Sequence, residues 1–191
     1  MMPLKTIKYY RMNNKLIIIG GGEHGKVIAD AAFKQNRYKV VGFVDDSWPL
    51  NVILDDGLPV LGRTKDAEEM AKLADFFIVA IKHNKEREFL FKKFSKYLKA
   101  ATVIHPSAVI SMNTTIGDGS VVLANSVLSV NVKLGFNVIV NSMVFIDHDS
   151  VIGNHAHLAP GTIIGNNMEI KSFRNTLLGE IIASQSFNKY I

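Results

Sequence analysis

The chain has 191 residues, 48 % of them hydrophobic and 20 % charged, which is too apolar for a disordered polypeptide and long enough for one ordinary domain or two small ones. It contains no cysteine, which excludes disulfides, thiolate metal sites and a cysteine nucleophile and fits a reducing compartment. The net charge of +5 is unevenly placed: residues 1–103 hold 18 Lys and Arg against 12 Asp and Glu, residues 104–175 hold 3 against 4, and the shift marks a boundary near residue 103.

Residues 1–14 carry lysines and tyrosines but no apolar stretch ending in a small-residue cleavage site. They read as an extension, with Met12 as an alternative start. No apolar run approaches the ~20 residues needed to span a bilayer. Leu16–Ile19 is a short uninterrupted apolar run, expected to be a strand buried on both faces. It leads into Gly20-Gly21-Gly22-Glu23-His24-Gly25 and a helix from Lys26 to about Gln35. Tyr38–Val44 reads as a second strand ending in Asp45-Asp46, Val52–Gly62 as an irregular excursion, Asp66–Leu73 as a helix and Phe76–Ile81 as a third strand. Asn84 is expected to cap the helix that follows. Within Lys82–Lys99, Phe89, Leu90, Phe94, Tyr97 and Leu98 recur at helical spacing, so the lysines there read as a solvated helix face in preference to a nucleic-acid site. The order predicts a small parallel sheet with helices packed on it.

Gly20, Gly22 and Gly25 fit G-x-G-x-x-G between a strand and a helix, and Asp45 follows twenty residues beyond Gly25. Glycines let a phosphate approach the backbone, and the helix N-terminus offers free N–H groups with partial positive charge. An acidic residue after the second strand can take ribose hydroxyls. Three readings stay open: a nucleotide diphosphate, NAD, or a purely structural tight turn. A segment of about 80 residues is short for two mononucleotide-binding halves, which favours the first.

From Ile104 the pattern changes. An aliphatic residue recurs at every sixth position: Ile104, Ile110, Ile116, Val122, Leu128, Leu134, Val140, Ile146, Ile152, Leu158, Ile164 and Ile170. Four places after each comes a mostly small or β-branched residue, such as Ser120, Ser126, Ser150 or Thr162. No helix has that period. Each hexapeptide reads as a short strand plus a turn, three of them closing a triangular coil of about 18 residues, and residues 104–175 make about four coils. A parallel β-helix of this kind leaves few positions for charge.

The hexapeptide repeats resemble those of the left-handed parallel β-helix acyltransferases. Gly20-Gly21-Gly22-Glu23-His24-Gly25-Lys26, Phe43-Val44-Asp45-Asp46 and Val103-Ile104-His105-Pro106-Ser107-Ala108, in that order, are similar to the group that acetylates sialic acids and UDP-amino-sugars. The resemblance covers about residues 15–170. It implies a homotrimer with acetyl-CoA as donor and a nucleotide sugar as acceptor.

Asp147-His148-Asp149 interrupts the repeat with three titratable residues. Acyl transfer from a thioester needs a base for the acceptor's proton, and a neutral histidine suits the task. From spacing alone His148 is either that base or an exposed turn residue. The resemblance implies the base, with Asp149 orienting it where the family commonly has Glu. It also implies that Gly20, Gly22, His24, Gly25, Asp45, Asp46 and Asn141 hold the nucleotide sugar, and that His157 and Gly161 contact acetyl-CoA. His155 reads as an outward turn residue, and His83 and His105 as structural. His157 follows His148 by nine residues, half a coil, so the two occupy opposite sides of one prism. A site using both must draw them from different subunits. The γ-class carbonic anhydrases of this fold hold zinc on histidines, but no carboxylate–histidine set here has that arrangement, and no metal is expected.

After Ile170 the frame degrades: Lys171 replaces a small residue, the next inward positions are Thr176, Ile182 and Asn188, and a shifted frame from Leu178-Gly179 recovers one repeat. An inserted loop or disrupted end is expected there, from truncation or a frameshift, with weakened donor binding. The expected organisation is an extension (1–14), a Rossmann-like α/β nucleotide-sugar domain (15–103), an all-β left-handed β-helix (104–175) and an irregular tail (176–191). The expected activity is cytoplasmic transfer of acetyl from acetyl-CoA to an amino group of a UDP-4-amino-sugar, with no nucleic acid or membrane partner. An O-acetyltransferase acting on sialic acid is the near alternative, and a catalytically impaired trimeric nucleotide-sugar-binding protein the distant one. An NAD oxidoreductase would need a hydride-acceptor site that the sequence does not show.

Overall fold

In this computed structural model, which describes residues 14–183, a five-stranded parallel sheet is followed by three stacks of two-residue parallel strands. Met12 and the extension up to residue 13, and the tail from residue 184 (Asn188 included), lie outside the described residues. The first sheet comprises β1 (Lys15–Ile19), β2 (Lys39–Val44), β3 (Val60–Gly62), β4 (Phe76–Val79) and β5 (Lys99–Ala100), in the order β3-β2-β1-β4-β5. Leu16 to Ile19 are wholly buried, as a central strand covered on both faces demands. The expected elements are present with shifted ends. β3 lies within the stretch expected to be irregular, and β5 was not expected; both are edge strands too short to show a pattern. Helix α1 (Glu23–Gln35) starts inside the glycine run, and α2 (Ala67–Met70) is shorter than expected, preceded by a 3-10 turn at Thr64–Asp66.

Helix α3 (Asn84–Phe94) departs furthest from expectation. Its cap is His83, whose ring accepts a hydrogen bond from Glu86 N, whereas Asn84 donates through Nδ2 to Phe173 O of the second domain at 2.8 Å. Leu90, Phe94 and the following Leu98 are buried, but Phe89 and Tyr97 stay exposed and Arg87 is wholly buried. The lysines are solvated as expected; the arginine is not.

The second domain is a three-sided parallel β-helix. One side stacks the strands at 103–104, 121–122, 139–140 and 157–158, the next those at 109–110, 127–128, 145–146, 163–164 and 181–182, and the third those at 115–116, 133–134, 151–152 and 169–170. Partners are separated by 18 residues throughout, and the aliphatic residues from Val122 to Ile170 pack into one inner cluster. The small residues fill the corners with their hydroxyls used: Ser126 Oγ donates to Asn141 O at 2.6 Å and accepts from Val144 N, and Ser150 Oγ does the same with Gly165 O and Met168 N. Each serine thereby joins consecutive coils where a larger side chain would not fit. Every sixth residue from Asn113 to Gly179 has a left-handed backbone, which explains the recurring Asn and Gly.

The frame shift expected after Ile170 does not occur. Asn175 bridges His157 and Ile181–Ile182 pair with Ile163–Ile164, each at the usual 18-residue spacing. Thr176 occupies the inward slot because Thr162 Oγ1 lies 2.7 Å from its hydroxyl and Ala159 N donates to it. The polar residue that obscured the repeat is hydrogen-bonded inside the coil, and the β-helix extends into the segment expected to be an irregular tail.

Candidate active site

The sheet order reverses at β1, with β2 on one side and β4 on the other. In open parallel sheets such a reversal opens a crevice at the carboxyl ends of the strands. At that point the glycine run Gly20–Gly25 follows β1 and Ile81–His83 follow β4, with Ile81 packed on Gly20. Gly20 has φ +105°, and a Cβ on Gly25 would stand 2.1 Å from Gly20 O. Gly22 is different: it is the α1 N-cap at φ −75°, and a Cβ placed on it would meet nothing within 4 Å. Gly25→Ala is therefore expected to cost about 2–3 kcal/mol and Gly22→Ala, a poorer N-cap without a clash, less than about 1 kcal/mol; comparing the thermal midpoints of the two variants checks this.

The aspartates expected to face a ribose are engaged in the fold. Asp45 accepts from Gly21 N through Oδ2 and from Ser47 N through Oδ1, both at 2.7 Å, which ties the glycine loop to the end of β2. Asp46 accepts from the Thr64 hydroxyl and Thr64 N, and the hydroxyl contact, first among the causes, holds its carboxyl below the usual range. A carboxylate has lone pairs to spare, so both can still accept from a ligand.

The first domain covers one side of the β-helix. The outward residues of that side, Val103, Val121 and Ile139, are buried, whereas Val109, Phe145 and Ile163 on the next side are exposed. His157 is next in the covered column and so faces the crevice. Its ring centroid lies 6.2 Å from that of His24, and its Nε2 is 3.4 Å from the Asn141 amide. His24, on the first turn of α1, is buried with no hydrogen-bond partner at Nε2. Burial pushes both imidazoles down to about 4, with the His157 ring next among the causes at His24 and the Arg87 charge next at His157.

Both rings are consequently neutral in the folded protein at pH 7, while unfolding restores their ordinary affinity for protons. Stability is full above pH ~6.5 and drains as the pH falls towards 4, by on the order of 3 kcal/mol for His24. Thermal midpoints measured from pH 7 to 4 should fall steeply in the native protein and less in His24→Gln; parallel curves would contradict this.

His148 stands at the corner between the strands at 145–146 and 151–152, opposite the side that carries His157. Its Nδ1 is 2.7 Å from Asp149 Oδ2, and the Asp149 Oδ1 accepts from Asn131 Nδ2, one coil earlier, at 2.9 Å. Asp149 occupies a left-handed turn position (φ 61°), where Asp is among the few tolerated side chains, and that backbone returns its carboxylate to the histidine. The Asp149 hydrogen bond is the first cause raising the His148 pKa above its ordinary value. Half of the His148 side chain is exposed.

Gly161 is at the corner next to Asn141, with φ +71° and its N–H bonded to Ser142 O. His155 is a turn residue as expected but not an outward one. It is buried, stacked on Phe173 at 5.0 Å, with its Nδ1 3.0 Å from Asn137 Nδ2. His105 bonds locally to Ser107. The structure thus joins His24, Asn141 and His157 into one group and sets His148 with Asp149 apart from them. Sequence reasoning missed Arg87, whose only signal was an arginine one helical turn after a cap. Among the described residues no group of three or more metal-ligating side chains converges, and no helix is long and apolar enough to cross a membrane. A cleft of about 840 Å³ between Tyr38, Phe76, Phe91 and Phe136 holds none of the candidate residues.

Residues 15–94 match the family model of the PglD N-terminal domain. A UDP-N-acetylbacillosamine N-acetyltransferase of Bacillus subtilis is 29 % identical over 111 residues, 56 % of this chain and 50 % of that protein, so the chain spans about half the length of that curated relative. The acetyltransferase domain of PglB from Neisseria gonorrhoeae superposes with TM-score 0.73 at 28 % identity, covering 90 % of this chain and 92 % of that one. A mutant of perosamine N-acetyltransferase from Caulobacter crescentus, solved with CoA and GDP-perosamine, shares the fold with TM-score 0.75 at 22 % identity, covering 88 % of each chain.

Proposed function

We propose that this chain, a member of the left-handed β-helix acetyltransferase family that carries a PglD N-terminal domain, transfers acetyl from acetyl-CoA to the amino group of a UDP-linked 4-amino-sugar. The observation that carries the reading is the His148–Asp149 pair. Asp149 occupies Nδ1 at 2.7 Å, which leaves Nε2 of a half-exposed imidazole free to take a proton.

In the step, the amine nitrogen of the sugar attacks the thioester carbonyl, forming the C–N bond. His148 Nε2 receives the amine proton, the C–S bond breaks, and the CoA sulfur leaves as a thiolate that takes this proton from the imidazolium, which returns the neutral base. The products are an acetamido sugar and CoA. Asp149 stabilises the imidazolium that forms. Gly20, Gly22, His24 and Gly25 would hold the diphosphate side of the acceptor, Asp45 and Asp46 the nucleoside, and Asn141 the sugar, with His157 and Gly161 against acetyl-CoA.

The site is shared between subunits of a homotrimer. Support comes from the placement of His148 and His157 on opposite sides of one coil and from the exposed apolar column Val109, Phe145 and Ile163. The working place is the cytoplasm, where acetyl-CoA and activated sugars meet. A CoA-release assay against UDP-4-amino-sugars and sialic acids, run with a size measurement, tests the reading. Release only with the amino sugars and a trimeric mass support it, release only with sialic acids replaces it by O-acetylation, and no release with any acceptor overturns it.

A further inference from the structure

Arg87 is wholly buried, and desolvation alone, with no carboxylate opposing it, lowers its pKa to about 10. All of its N–H groups go to main-chain carbonyls. Nε donates to Asn137 O at 3.2 Å, Nη1 to Ile81 O and Lys82 O at 3.1 Å each, and Nη2 to His155 O at 2.6 Å and Ala156 O at 3.2 Å. Asn137 Nδ2 returns a bond to Arg87 O.

These carbonyls belong to three separate stretches of chain. Ile81 and Lys82 form the crevice wall after β4, Asn137 is a corner of one coil, and His155–Ala156 are the corner of the next and lead directly into His157. A buried cation without a counter-ion is a costly way to join two domains, and an apolar side chain would do it more cheaply. What an apolar side chain lacks is a planar fork that reaches three segments at once in fixed directions. Lysine, with three donors on one atom, lacks it too.

We propose that Arg87 is a positioning residue that assembles the two halves of the candidate site, holding the crevice wall and the corner before His157 in one frame so that His24, Asn141 and His157 face each other. Its charge also helps to keep both imidazoles neutral. His148 is on the far side of the coil, so the base is untouched by this frame. The kinetic part of the proposal rests on the acetyltransferase reading; the histidine part does not.

The test uses the full chain with ring-labelled histidine and the variants Arg87→Lys and Arg87→Met. In both, KM for acceptor and donor should rise by about tenfold or more while kcat changes by less than about threefold, because binding geometry is lost and the base is not. In Arg87→Met the titration midpoint of His157 should also rise, and that of His24 by less, as a nearby positive charge is removed. In Arg87→Lys the charge remains, so the midpoints stay low while the cross-relaxation between the two rings, 6.2 Å apart in the native protein, weakens. A folded Arg87→Met with native KM values and native midpoints overturns the proposal. Should Arg87→Met not fold, Arg87→Lys decides: native ring proximity with native KM values overturns it equally. If the native chain releases no CoA, the acetyltransferase reading fails, and the midpoints and ring proximity still decide for or against Arg87.

Discussion

Replacing His148 by alanine is expected to lower CoA release by about 10²–10⁴-fold while leaving nucleotide-sugar binding and the thermal midpoint unchanged. The side chain is half exposed, and its contacts run to Asp149 and not to the β-helix interior, so its removal opens no cavity. Only the proposed proton acceptor is lost. Unchanged turnover would sink the assignment, and a large drop in the thermal midpoint would show instead a structural role. The neighbouring carboxylate gives a second readout of the same chemistry. The Asp149 hydrogen bond raises the His148 pKa, and a general base works unprotonated, so with His148 as the base the acid limb of the kcat/KM profile is expected above the ordinary histidine value. In Asp149→Asn that limb should move to lower pH with a reduced plateau.

Mixing two inactive variants, His148→Ala and His157→Ala, is expected to restore activity to about one quarter of the native level when subunits reassort at random in a closed ring. On the proposed trimer, a site takes His148 from one subunit and His157 from its neighbour. Each single variant spoils all of its own sites, but an interface between the two kinds, in one of its two orders, carries both intact histidines. The geometry behind this is the placement of the two residues on opposite sides of the prism, at the 145–152 corner and in the column under the first domain. Activity that stays at the level of the single variants after denaturation and joint refolding would mean that each subunit works alone.

The sequence revealed the second domain better than the first. A six-residue period is read directly from Ile104 to Ile170, because every side of the prism repeats one pattern and each inward slot in that stretch is aliphatic. Where a slot was filled by Thr176 the reading failed, since the Thr162 hydroxyl that satisfies it lies fourteen residues away. The parallel sheet was legible in its buried core, Leu16–Ile19, and illegible at its edges, where β3 and β5 owe their pairing to neighbours rather than to pattern. His24 and His157 were each visible as candidates, but their mutual approach was not, because it depends on how the domains dock. That docking buries Val103, Val121 and Leu123 against α1, and it is bridged by Arg87 and Asn84, polar residues in what reads as an ordinary solvated helix. Burial of a polar side chain against main-chain carbonyls leaves no periodic trace. The same holds for His155, whose partners Phe173 and Asn137 each lie 18 residues from it, one coil on either side.

Helix α3 runs along one edge of the prism like a scale laid against another. Asn84 reaches Phe173, Arg87 reaches His155 and Asn137, and Phe91 lies where a side chain on Gly119 would stand, 2.4 Å from such a Cβ. Each helical turn advances ~5.4 Å and each coil ~4.8 Å, so the two turns from Asn84 to Phe91 are shorter than the three coils from Phe173 to Gly119, and long side chains span the difference. The joint is therefore keyed to particular coils. Eighteen residues added between Gly119 and Asn137 would preserve every face of the prism and still carry His157 one coil away from His24, whereas six added there would turn a different side of the prism towards the first domain. A lineage could lengthen this β-helix beyond Thr176 with little consequence for the crevice, but between Gly119 and His157 its length is tied to the pitch of a single helix.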